Sequence, residues 1–123
     1  MASWTPDELS TVGSTDELDL RSRRSDGSLR DPVTIWVVRH DDDLYVRPVR
    51  GREGWFRGTR SRHEGHVSWG AVDRDVSFVD ADPGLNEAID AEYRAKYSSY
   101  PVQFVDNVVT DQARSATIKL VPS

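Results

Sequence analysis

The chain has 123 residues, 37% of them hydrophobic, no cysteine and a formal net charge of −5. That length reads as a single domain, residues 1–123, with one buried core. The lack of cysteine excludes disulfides, thiolate metal sites and cysteine nucleophiles, and the acidic balance argues against a partner bound through a nucleic-acid backbone. No apolar run is long enough to span a bilayer or to serve as a secretion signal, so a cytoplasmic protein is expected.

Thr5-Pro6-Asp7-Glu8 starts a helix: Thr5 caps, Pro6 suits the first position, Glu8 completes a capping box, and Gly13 stops it. Trp4 and Leu9 are its anchors on the end of a sheet. From Asp16 to Arg24 charges alternate with Leu18 and Leu20, the pattern of a half-exposed strand. Asp26-Gly27 marks a turn. The β-branched and aromatic run Pro32–Arg39 predicts a central strand, and Leu44–Val49 a third, the three forming an antiparallel meander. A short helix is expected over Trp55–Glu64. A hairpin follows, His66–Trp69 with Val72–Val79. Asp82-Pro83-Gly84 opens the clearest helix, with Leu85, Ala88, Ile89 and Tyr93 on one stripe and an end near Lys96. The stretch 103–112 fits no single pattern, and Thr117–Val121 closes the chain as a strand. About six antiparallel strands with few helices suit a small closed or split barrel, not a parallel sheet.

Charge is distributed unevenly over these elements. Eleven of the sixteen basic residues, all arginines, lie between Arg21 and Arg62 against only six acidic residues. Guanidinium forks match phosphate and carboxylate, so the block reads either as an anion site or as a solvated surface. Two segments could converge: Ser22–Arg30, bearing Arg23, Arg24 and Arg30, and Val49–Arg60, bearing Arg50, Gly51 and Arg60. Guanidinium groups from the first and backbone N–H groups from the second would then face one anion near a helix N-terminus. Trp55 and Phe56 are either core residues or one wall of such a pocket. The three histidines lack the spacing of a metal site, and no nucleophile elbow, phosphate-binding loop or dinucleotide fingerprint is present. No catalytic residue is assigned and no metal is expected.

Three stretches carry a resemblance: Ser-Arg-Arg-Ser-Asp-Gly-Ser-Leu-Arg at 22–30, Asp-Asp-Asp-Leu-Tyr-Val-Arg at 41–47 and Trp-Phe-Arg-Gly-Thr-Arg at 55–60. Over about residues 18–80 the chain resembles the split-barrel flavin and deazaflavin reductases, in particular their deazaflavin-dependent nitroreductase branch. From Trp4 to Pro122 it is similar to a family of short bacterial proteins, domain of unknown function 2255. The resemblance implies a mainly β (α+β) fold, a small antiparallel split β-barrel of the FMN-binding kind with two or three short flanking helices. It implies an oxidoreductase holding a deazaflavin coenzyme (8-hydroxy-5-deazaflavin type) or FMN and passing hydride to a small organic acceptor, as a homodimer. Arg23, Arg24 and Arg30 then match cofactor-phosphate contacts. Arg50 and Gly51 match the loop at the cofactor, Trp55 and Phe56 an aromatic pair, and Arg60 the basic position beyond. Ser22, Arg24, Gly58 and Thr59 depart from the reductase pattern. Two other readings therefore stay open: a barrel that carries a phosphorylated small molecule without turnover, and an interaction protein with an empty barrel.

Overall fold

The computed structural model describes residues 3–123. Thr5 Oγ1 accepts from the Glu8 N–H and the Glu8 carboxylate accepts from the Thr5 N–H, so helix α1 (Pro6–Gly13) starts with the expected capping box. Trp4 is buried below it. Its Nε1 donates to the Leu120 carbonyl at 3.0 Å, and its ring tilts against Trp69.

Seven strands follow among the described residues: β1 (Glu17–Ser22), β2 (Val33–Trp36), β3 (Val38–His40), β4 (Asp43–Val46), β5 (Glu64–Trp69), β6 (Val72–Asp80) and β7 (Ile118–Pro122). They form one antiparallel sheet in the order β2-β1-β5-β6-β7-β4-β3. The two edge strands, β2 and β3, are separated only by Val37. The sheet therefore curls until its edges meet at one residue, a nearly closed barrel with a mainly β composition.

That corner corrects the expectation of a single central strand over 32–39 and of a simple meander. Backbone groups leaving a ladder need other partners, and Val37 has them. Its N–H donates to the Tyr97 hydroxyl at 3.1 Å, and its carbonyl accepts from Lys96 Nζ at 2.6 Å. With both groups satisfied, the chain turns; β2 pairs with β1 while β3 pairs with β4.

The helices are short. The expected helix over 55–64 is one turn, α2 (Phe56–Thr59), because His63 takes a φ of 55° and turns the chain into β5. A 3-10 turn (Pro83–Leu85), capped by Asp82, leads into α3 (Asn86–Lys96). The unassigned 103–112 stretch belongs to α4 (Val102–Asp106) and α5 (Asp111–Ser115), the latter capped by Thr110. Among the described residues five short helices thus stand where two or three were expected. One core cluster includes Leu18 and Leu20 of β1, Val67 of β5, Phe78 of β6 and Leu120 of β7. A second packs Ile89 and Tyr93 of α3 with Tyr97 against Val38 and Tyr45 of β3 and β4. No helix among the described residues is long and apolar enough to cross a membrane.

Candidate functional site

The two arginine-bearing segments do meet, through Arg30. Its guanidinium donates to the Arg23 carbonyl at 2.9 Å, the Gly58 carbonyl at 3.1 Å and the Ser61 hydroxyl at 3.2 Å. The contact explains the glycine at 58, since a Cβ there would lie 2.5 Å from Ser22 Oγ and 3.3 Å from the Arg30 side chain. Beside this clamp opens a hollow of about 480 Å³ lined by Ser22, Arg24, Arg30, Asp31, Trp55 and Arg57. Arg24 donates to Ser28 and to the Leu29 carbonyl, while the Arg57 side chain has no hydrogen-bond or ion-pair partner among the described residues. Three guanidinium groups face one carboxylate there.

A second, more apolar groove of about 580 Å³ adjoins it. Ile35 and Trp36 of β2 form one wall, Val49, Arg50 and Trp55 of the following loop another, and Phe104 and Asn107 of the α4 region a third. It exists because β2 is an edge strand, leaving the side that faces the loop and α4 unpaired. Val49 and Phe104 are about half exposed at its rim, 52% and 50%. Val33, Gly54 and Trp55 line both spaces, so the half-buried Trp55 stands at their junction. The apolar groove and the arginine-lined hollow thus lie side by side.

Behind the groove lies Arg47, whose side chain is wholly buried. It donates to Asp90 at 2.5 Å, to the Val108 carbonyl and Thr117 hydroxyl at 2.9 Å, and to the Asn86 carbonyl at 3.2 Å. Asp90 also accepts from Arg114 at 2.7 Å. Burial pushes the Asp90 carboxyl up, but the hydrogen bonds and charges of Arg114 and Arg47 outweigh it and hold the group below the ordinary carboxylate value.

Of the residues singled out from the sequence, Arg24, Arg30, Arg50 and Trp55 line the two spaces. Arg50 is exposed at the groove rim, with Glu53 at 3.7 Å. Gly51 sits behind that rim with a φ of 64°, where a Cβ would fall 2.3 Å from Gln112 Cγ; Gln112 also donates to the Arg50 carbonyl. The remaining three point elsewhere. Arg23 binds the Gly27 carbonyl and Asp75. Phe56 is in the core, with the Arg52 and Arg60 guanidinium groups over its ring. Arg60 is paired with Asp80 at 2.6 Å, and its hydrogen bond lowers the Asp80 carboxyl against the effect of burial. The expected helix N-terminus is a single turn whose Arg57 and Gly58 N–H groups already donate to the Gly54 and Trp55 carbonyls. Arg57 and Arg47 belong to the arginine block but were not singled out within it, and Phe104 and Asn107 had no sequence signal beyond their residue types. Two histidines bind carboxylates away from the groove, His66 with Asp73 and Asp75, and His40 with Glu92.

Solved structures share this architecture. HutZ, the heme storage protein from Vibrio cholerae, superposes with a TM-score of 0.67 at 12% identity over 96% of this chain and 89% of its own. The FAD and heme binding protein from Mycobacterium smegmatis gives 0.59 at 14% identity; 97% of this chain matches 65% of that one. At such identities the likeness establishes a common split-barrel fold. No curated protein sequence matches the chain. The sequence model described as "uncharacterized protein conserved in bacteria (DUF2255)" matches residues 8–120, and the chain is a member of that family.

Proposed function

We propose that this split barrel binds a planar, anionic cofactor of the flavin class, FMN or a deazaflavin, and serves as an oxidoreductase for a small organic acceptor. The observation that carries the reading is the adjacency of the apolar groove and the arginine hollow, which share Trp55 as a lining residue. A groove of this size is within the range of about 300–1,000 Å³ usual for small-molecule sites. A ring system suits the surface of Trp36, Trp55 and Phe104, and a phosphate suits Arg24, Arg30 and Arg57. The heme and FAD named for the two structural neighbours are also planar and anionic, which supports the class. Heme is the poorer fit: its iron takes His, Cys, Met or Tyr ligands, and none of these lines the groove.

When bound, a flavin or deazaflavin supplies hydride transfer. The protein's share is binding and placement: Arg57 and Arg24 neutralise the anion, Trp55 separates ring from tail, and the buried Arg47 keeps the groove wall fixed. Titration of the protein with FMN, the deazaflavin coenzyme, FAD and heme, followed by tryptophan fluorescence, tests this. Saturable binding of a flavin or deazaflavin, weakened in Arg57→Ala, is expected. No response to either would sink the reading, and a bound cofactor that no donor–acceptor pair can turn over would leave a carrier instead of a reductase.

A further inference from the structure

Trp36, which lines the groove, does not end there. Its indole stacks on Tyr97 with ring centroids 3.8 Å apart and planes 4° from parallel, and Tyr100 meets it edge-on at 4.9 Å. Tyr100 also touches Tyr97 at 5.7 Å. The hydroxyls of these tyrosines have unlike partners. Tyr97 donates to the backbone carbonyl of Asp16, which cannot take up a proton, and the buried Tyr93 hydroxyl has no hydrogen-bond partner. Tyr100 donates to the Asp16 carboxylate at 2.7 Å. That bond raises the Tyr100 hydroxyl above its ordinary pKa, with Glu17 adding to the effect, so the phenol holds its proton at neutral pH. A phenol gives up an electron readily only when its proton can leave at the same time. Within this cluster, Tyr100 alone has a carboxylate to receive one.

We propose that Trp36 and Tyr100 form an oxidation relay leading out of the groove. A one-electron oxidant in the groove, such as a photo-excited flavin, takes an electron from Trp36. Trp36 regains one from Tyr100, and the Tyr100 proton passes to Asp16. The oxidant ends reduced by one electron, Tyr100 ends as a neutral radical, and Asp16 ends as the carboxylic acid. The choice of a flavin as natural oxidant rests on the cofactor reading above; the relay itself does not. It would draw damage away from the groove to a residue that outside reductants can reach.

The test places the oxidant by covalent attachment. The chain has no cysteine, so Val49→Cys at the exposed groove rim gives a single site for a maleimide-linked flavin. After a light flash, the labelled protein should show quenched flavin emission and a tyrosyl radical absorption. Tyr100→Phe should abolish the tyrosyl signal while leaving the quenching, and Asp16→Asn should do the same. Trp36→Phe should remove the tyrosyl signal, and any quenching that remains comes from Trp55 on the opposite wall. A tyrosyl signal that survives in Tyr100→Phe or in Trp36→Phe, or none in the labelled parent, overturns the relay. Because the label needs no reversible binding, a failed FMN titration would count against the cofactor reading and leave this result intact.

Discussion

Replacing Asp90 with alanine strands the Arg47 guanidinium inside the protein. The Arg47 side chain is fully buried and that of Asp90 only 15% exposed. Removing one partner of a buried pair costs about 3–5 kcal/mol, because the remaining charge loses its compensation in a poorly solvating interior. Arg47 would keep the Val108, Thr117 and Asn86 acceptors, which places the expected loss near ~3 kcal/mol, the lower end of that range. With an unfolding entropy of about 2.1 cal/mol/K per residue, such a loss lowers Tm by about 12 °C. Urea and thermal unfolding followed by tryptophan fluorescence measure it. Arg114→Ala is the control: that side chain is 33% exposed, so its pair with Asp90 should be worth about 1 kcal/mol or less. Equal losses in the two variants would refute the burial argument. The pH dependence follows the same logic. A carboxyl held below its ordinary value contributes stability above that value and loses it as pH falls through the folded-state pKa. The parent should therefore lose more stability than Asp90→Ala below about pH 4.

Other outcomes follow from the groove and its supports. Arg57→Ala and Arg50→Ala should each weaken a flavin-class ligand by about 1.5–3 kcal/mol, roughly 10- to 150-fold in Kd, with unfolding midpoints unchanged; calorimetric titration would show it. Arg30→Ala should lower both affinity and stability, because its guanidinium also holds the Gly58 carbonyl and Ser61. Gly51→Ala should destabilise the rim loop through its positive φ and the close Gln112 side chain, a loss readable as faster amide exchange over 48–54. Burial lowers Lys96 to about 8, so between pH 8 and 9.5 the unfolded chain holds more of that proton than the folded one. Parent stability relative to Lys96→Met should rise across that interval.

Local chemistry was legible wherever a few adjacent residues decide it. The Thr5–Glu8 box, the Asp82-Pro83 start and the hairpin of His66–Trp69 with Val72–Val79 stand as read, and the barrel follows from strand count and turn length. The corner at Val37 was not legible, because Pro32–Arg39 has uniform β propensity and the partners that release Val37 from the ladder come from residues 96 and 97. The 103–112 stretch resisted assignment because its helices are only five residues each, too short for a periodic stripe. Of the arginine block, Arg24, Arg30 and Arg50 line the two spaces, but nothing in the sequence separates them from members engaged elsewhere. Arg60 and Arg23 resemble Arg57 in sequence; only the positions of Asp80 and Asp75 on β6 show that they are engaged. Arg47 reads as one more strand charge until Asp90 on α3 is found opposite it.

Strand β7 occupies an unusual place for the last element in chain order. It lies inside the sheet, with β6 on one side and β4 on the other, and it supplies the Leu120 carbonyl to which Trp4 donates. Without residues 118–122 in place, β2-β1-β5-β6 and β4-β3 are two separate ribbons with raw edges, linked through Val37 and through residues 47–63. Closure therefore pairs Leu44 with Leu120, segments far apart in the chain, the kind of contact that slows folding and leaves strand edges exposed in the interim. Until β7 pairs, the barrel is an open sheet, and chaperone dependence during folding should fall sharply once that strand has docked.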